Sequence, residues 1–317
     1  MTDYPLRLIR SDEPGPSTEA QSYLDKRPYT SFSNGLQQDA RRFVPGDPLE
    51  EALNVAVAIG EPLLITGEPG TGKTQAAYYV AYKLGIEPVL HFQVKSDSTA
   101  RDLLYDYDAV AYLRTAYAGR DGNAGGEPVP VNRAEFIEPR VLWEAFESNT
   151  PRVVLIDEID KAPRDFPNDL LHELDRMEFT VQETGTTIRA PTERRPIVVI
   201  TSNSERHLPE PFLRRCIYHN IRLDASLLAD ILRAHGKDFE NLGQSFVEFA
   251  VERFLQLREL ALRKKPSTSE LLVWLRVMAV ASGQRALSLD ARLADLPYLG
   301  LLLKDSSDFD LLAGDAH

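Results

Sequence analysis

The stretch Gly67-Glu68-Pro69-Gly70-Thr71-Gly72-Lys73-Thr74 fills every required position of GxxxxGK[ST]. It stands between the apolar run Pro62 to Thr66 and the helix-compatible segment Gln75 to Leu84. Strand, glycine loop and helix in that order predict a phosphate cradle. Glycines let successive backbone N–H groups turn inward on a phosphate at the positive end of the following helix. Lys73 would reach the β- and γ-phosphates and Thr74 would hold Mg²⁺.

Outward from this loop, short apolar runs recur at 88 to 94 (PVLHFQV), 152 to 156 (RVVLI), 197 to 201 (IVVIT) and 217 to 223 (IYHNIRL). With the run before the loop they make five strands alternating with helical segments. Near-continuous apolar strands between helices mean a parallel sheet covered on both faces, with ligand at the strands' C-terminal ends. Leu49, Ala52, Leu53, Ala56 and Val57 recur at helical spacing just ahead of the first strand. An α/β domain is therefore expected over 46–223. Two insertions interrupt it. One spans 95–140, where Thr99 and Asp102 have capping-box spacing before a helix and GRDGNAGGEP makes a loop. The other is a β-hairpin over 178–190, after a helix carrying Leu170, Leu171, Leu174 and Met177.

Residues 1–45 read as an irregular N-terminal arm, broken by DEPGPS and RPYTSFSNG. From Asp224 the strand signal stops. Helices are expected at 225–235, 245–263, 268–281 and 287–303, forming a small helical domain over 224–317 with a frayed acidic tail. Phe246, Phe249, Ala250, Phe254 and Leu257 make one apolar stripe and Leu272, Leu275 and Met278 another, and Trp274 reads as a packing residue.

The run Val153 to Glu158 is a buried strand ending in two carboxylates, where charge is costly without a cation or water to meet it. Asp157 would organise Mg²⁺ and Glu158 would polarise the water that attacks the γ-phosphate, although an acidic strand end also caps helices. Asn203 ends the next strand, Ile200-Thr201-Ser202-Asn203, and is placed to hold that water; it is also an ordinary turn former. Arg214 and Arg215 precede the last strand. They read either as stabilisers of charge on the transferring phosphate or as surface ion-pair partners.

The net charge of −12 over 317 residues argues against a broad nucleic-acid footprint. The six histidines form no HxxxH pair and no cluster with cysteine, so the only metal expected arrives with nucleotide. Cys216, the single cysteine, excludes an intrachain disulfide and fits a reducing compartment, which by itself fixes no location; the location expected is cytoplasmic. No run approaches the roughly 18 apolar residues a membrane span needs.

Taken in order, GEPGTGKT, VVLIDEIDKA, IVVITSN and LPEPFLRRC followed by helices resemble the AAA+ ATPases, and within them the MoxR branch, over about residues 46–285. The resemblance implies a P-loop AAA+ core with a parallel five-stranded sheet flanked by helices, plus a small C-terminal all-helical lid. It makes Gly67 to Thr74 the Walker A loop, Asp157 and Glu158 Walker B, Asn203 sensor 1, and Arg215, or else Arg214, an arginine finger. It further implies ATP and Mg²⁺, a homo-oligomeric ring of six with the finger acting in trans, client contacts from 95–140 and 178–190, and a partner with a von Willebrand factor A domain. One position departs from the family. Many members carry a sensor 2 arginine at the start of a lid helix, where this chain reads Pro266-Ser267-Thr268-Ser269-Glu270-Leu271, with Ser267 and Glu270 at capping-box spacing. Three functions follow in order of preference: an ATP-hydrolysing remodeller of a protein client, a nucleotide-gated scaffold, and a DNA-processing motor. The residues alone leave ATP and GTP both open.

Overall fold

The structure, a computed structural model, describes residues 36, 39–121, 131–203, 208–282 and 288–314. Most of the arm over 1–45, and all of GRDGNAGGEP beyond Asp121, lie outside the described residues.

Helix α1 (Asp47–Ile59) starts with Pro48 in its first turn and stops at Gly60, whose φ of 72° is left-handed. Then follow β1 (Leu63–Gly67), α2 (Lys73–Leu84), β2 (Leu90–Gln93), β3 (Tyr105–Tyr107), α3 (Ala109–Asp121), β4 (Ile137–Pro139) and α4 (Val141–Glu147). Next come β5 (Val153–Asp157), α5 (Phe166–Asp169), α6 (Leu171–Arg176), β6 (Glu178–Thr180), β7 (Thr187–Arg189), β8 (Ile197–Ser202), α7 (Glu210–Leu213) and β9 (Ile217–Ile221). Five of these strands form one sheet in the order β2-β5-β8-β1-β9, with every neighbouring pair parallel. In β5 every residue is buried, and in β1 and β8 all but one, as a sheet covered on both faces requires. The five-stranded parallel sheet is the one expected. Its register sets Gln93 beside Asp157 and Ile156 beside Ile200, so the tips of β2, β5 and β8 lie together at one end.

Two small antiparallel pairs accompany the sheet, β3 with β4 and β6 with β7. The turn between β6 and β7 contains Gly185 at φ 73°. Arg101 pairs with Glu183 of that turn at 2.5 Å, and Tyr105 Oη accepts the Gln182 N–H at 3.1 Å. The Tyr105 ring stacks on Phe179, with 6.2 Å between centroids. Thr99 and Asp102 form the expected capping box, Asp102 accepting the Thr99 N–H at 2.8 Å, and the helix it opens is a single 3-10 turn, Ala100–Leu103. The expected helix through Leu170 and Met177 is two short ones, α5 and α6. Leu170 falls at their junction, and Met177 turns left-handed at φ 51° with its side chain buried.

The C-terminal residues build a separate core. Here α8 (Ala225–His235), α9 (Gln244–Glu259) and α10 (Thr268–Ser282) pack around Phe254, Leu257, Leu271, Leu275 and Met278. Trp274 lies at the centre of that core and its indole N–H donates to the Pro297 carbonyl at 2.7 Å. Three expectations are corrected in this region. Helix α9 stops at Glu259, where Leu260 becomes extended, rather than running to 263. No helix runs to residue 303 from 288; Pro297 and a left-handed Tyr298 break it into the short turns Leu293–Asp295 and Leu299–Leu301. The acidic tail is ordered instead as α11 (Ser306–Gly314). Its Asp308 is buried and accepts the N–H groups of Arg263 at 2.8 Å and Lys264 at 3.2 Å.

By contacts the chain divides into two units. Of the described residues, one unit holds the sheet, within 45–67 and 73–221; the other comprises those up to Val44, the loop segment Glu68–Gly72 and those from Arg222 onward. No helix among the described residues is long and apolar enough to cross a membrane.

Candidate nucleotide site

In the sheet unit, β1 ends at Gly67 and α2 begins at Lys73. Lys73 is buried, and its ammonium donates to the Gly67 carbonyl at 2.9 Å. Thr74, one residue into the helix, donates its hydroxyl to both oxygens of Asp157, at 2.9 and 3.2 Å. That contact joins the start of α2 to the tip of β5.

Asp157 is held from further sides as well. The Thr201 hydroxyl donates to Oδ1 at 2.5 Å, and His91 Nε2 lies 3.4 Å from Oδ2. Burial pushes the carboxyl up, but His91 and the hydroxyls of Thr201 and Thr74 outweigh it and hold the group below its ordinary range. A hydroxyl and an ionised carboxylate are hard oxygen donors, the set from which Mg²⁺ takes one or two protein ligands, so these residues fit that ion. Among the described residues no three His, Cys, Asp or Glu side chains gather into a metal cage of their own.

Glu158 follows at φ 59° and ψ 51°, its N–H donating to Thr201 Oγ1 at 2.8 Å. Three donors converge on its carboxylate. Gln93 Nε2 reaches Oε2 at 2.7 Å, the Lys161 ammonium pairs with the same oxygen, and Asn203 Nδ2 lies 3.4 Å from Oε1. The Lys161 ammonium is held above its ordinary value, first of all by Glu158. Asn203 is fixed in turn because its N–H donates to Asp160 at 2.9 Å, where the Ser202 hydroxyl also donates at 3.1 Å. Lys73, Thr74, Asp157, Glu158 and Asn203 thus lie at neighbouring strand and helix ends of one unit. The sequence assigns no role to Gln93, Lys161, Thr201, His91 or Asp160, although the polar end of the run HFQ and the lysine of DEIDK carry the signal.

The arginines stand apart. Arg214 pairs with Glu210, and both side chains are largely exposed. Arg215 donates from Nε to Asp175 at 2.7 Å and from Nη1 to the Pro211 carbonyl at 3.0 Å.

The middle of the loop belongs to the other unit. Gly70 (φ 73°) and Gly72 (φ 90°) both hold left-handed backbone, and both are closely approached. A Cβ on Gly70 would come 2.5 Å from Ser267 Oγ, and one on Gly72 would come 2.9 Å from the Phe43 ring. Only glycine fits either place.

Compared with known proteins, residues 62–216, just under half of the chain, match the family model described as AAA domain (dynein-related subfamily). No curated protein matches the chain. Solved structures do match. One, a crystal structure from Cytophaga hutchinsonii provisionally described as an ATPase, is 16% identical over 93% of this chain and 88% of its own, with a TM-score of 0.40. The parallel sheet, its flanking helices and the helical C-terminal region are consistent with the α/β AAA+ fold.

Proposed function

We propose that the chain is an Mg²⁺-dependent ATPase of the AAA+ class, MoxR-like, that works as a ring and remodels or activates a protein client. The observation that carries the reading is the contact of Thr74 with Asp157, set beside Glu158 and Asn203 on adjoining ends of β5 and β8. Backbone N–H groups of Gly67 to Thr74 would bind the phosphates and Lys73 would meet their charge. Mg²⁺, held by Thr74 and Asp157, would supply neutralisation of the phosphate oxygens. Glu158 would take the proton of the attacking water, and Asn203 would orient that water. Gln93 and Lys161 keep the Glu158 carboxylate at this place. Replacing Glu158 with Gln keeps the shape and removes the base, so steady-state phosphate release should fall at least ~100-fold while MgATP binding is retained. Hydrolysis unchanged in that variant would remove the role given to Glu158.

Arg215 or Arg214 would act on the nucleotide of a neighbouring copy, which accords with their pairing at the surface of their own chain rather than with Lys73 or Glu158. The segments 95–140 and 178–190 are the proposed client-facing surfaces, and a partner with a von Willebrand factor A domain fits the MoxR likeness. A second reading, a nucleotide-gated scaffold with slow turnover, draws on the missing arginine at Pro266–Leu271. There Glu270 caps its own helix, accepting the Ser267 N–H at 2.7 Å. Phosphate release measured alongside ATP-dependent assembly separates the two, because a scaffold assembles without turning over.

A further inference from the structure

The phosphate loop is clasped by residues from the end of α9 and the start of α10, and none of them belongs to the GxxxxGK[ST] motif. The Gly70 carbonyl accepts from both Ser269 N–H, at 3.3 Å, and Ser269 Oγ, at 3.1 Å. A trans peptide is planar, with its C=O and N–H pointing opposite ways. Anchoring the Gly70 carbonyl on Ser269 therefore aims the Thr71 N–H away from α10. At the loop's other end Arg258 donates to Glu68 Oε2 at 2.7 Å, while its second nitrogen donates to the Pro266 carbonyl at 2.5 Å. The Arg258 side chain is only 15% exposed, and the Phe254 ring lies against its guanidinium. The Thr71 hydroxyl donates to the Glu68 carbonyl at 2.8 Å and closes the curve of the loop.

The Glu68 carboxylate poses an electrostatic problem. It sits within the segment that would receive a polyphosphate, and an unneutralised carboxylate there repels the ligand. Arg258 faces it from the same contact unit. We propose that Arg258 is a positioning residue for nucleotide binding, which neutralises and orients Glu68 so that the loop, clasped at Gly70 by Ser269, is preorganised for a triphosphate. This rests on the ATPase reading above. Arg258 would act on affinity through Glu68, while the hydrolytic groups on β5 and β8 remain as they are.

The test is a double-mutant cycle on the full chain, with Kd for MgATP from calorimetry and with KM and kcat from phosphate release. Arg258→Gln should raise Kd and KM roughly tenfold with kcat changed less than about twofold, and the same substitution on a Glu68→Gln background should raise them less than about threefold. Arg258→Lys, which keeps the charge, should recover part of the affinity. Equal losses on both backgrounds overturn the proposal, since Arg258 would then act by packing on Phe254 and Pro266. A fall in kcat with KM unmoved also overturns it. A wild-type chain that binds no MgATP overturns the ATPase reading and the proposal together, whereas normal wild-type binding with equal losses overturns the proposal alone.

Discussion

Glu158 is held in left-handed backbone, which costs a non-glycine residue about 1–3 kcal/mol and persists only where the surroundings fix it. Here the surroundings are the Thr201 hydroxyl on its N–H and the Gln93, Lys161 and Asn203 groups on its carboxylate. Cys216 shows a different control of a reactive group. Burial, assisted by the negative charges of Glu61 and Asp175, pushes its thiol up to about 12. A folded-state value above the unfolded one, about 8.5, means that Cys216 contributes stability fully below that pH and loses it as the pH climbs toward the folded value. At pH 8 the native chain should react with iodoacetamide at least ~100-fold more slowly than the denatured chain, because the thiolate is the nucleophile. Equal rates, read by mass spectrometry, would show the thiol to be ordinary.

Among the elements, α11 depends on one buried carboxylate. Asp308 accepts two backbone N–H groups from the stretch after α9, so Asp308→Ala leaves both donors without their acceptor and should cost about 2 kcal/mol in denaturant unfolding. A loss below about 0.5 kcal/mol would mean that the tail is not anchored there. This helix is also where sequence reading fails. DSSDFDLL shows acidic residues at a chain end, and nothing local announces that Asp308 meets N–H groups some 45 residues away. The expected helix to residue 303 fails for the opposite reason: its apolar spacing is helical, but Pro297 and the left-handed Tyr298 divide it. The inner strands β1, β5 and β8 are legible because burial on both faces demands unbroken apolar runs such as VVLI and IVVIT. The site divides along the same line. Residues adjacent in sequence, 67–74 and 157–158, can be read directly, whereas Gln93 and Thr201 come to Glu158 and Asp157 only through the register of parallel strands.

At the scale of the molecule, the proposed finger would act on the site of another copy. Arg215 is tied to Asp175 of its own chain. If sites are shared between copies, mixing Glu158→Gln chains with Arg215→Ala chains should restore hydrolysis that neither has alone. An interface formed by the Glu158 of one variant and the Arg215 of the other is complete. Rescue should reach on the order of a quarter of wild-type turnover or less, given that a lost finger costs ~10³-fold or more. No rescue at any mixing ratio, with assembly verified by light scattering, would place the whole site in one chain.

The pairing of Arg101 with Glu183, the Gln182 bond to Tyr105 and the stacking of Tyr105 on Phe179 bear on how such an assembly would handle a client. Two segments far apart in sequence are thus held to each other by an ion pair, a hydrogen bond and a ring contact. Were these segments to meet a client as proposed, a pull on the β6–β7 turn would pass to β3 through these three contacts.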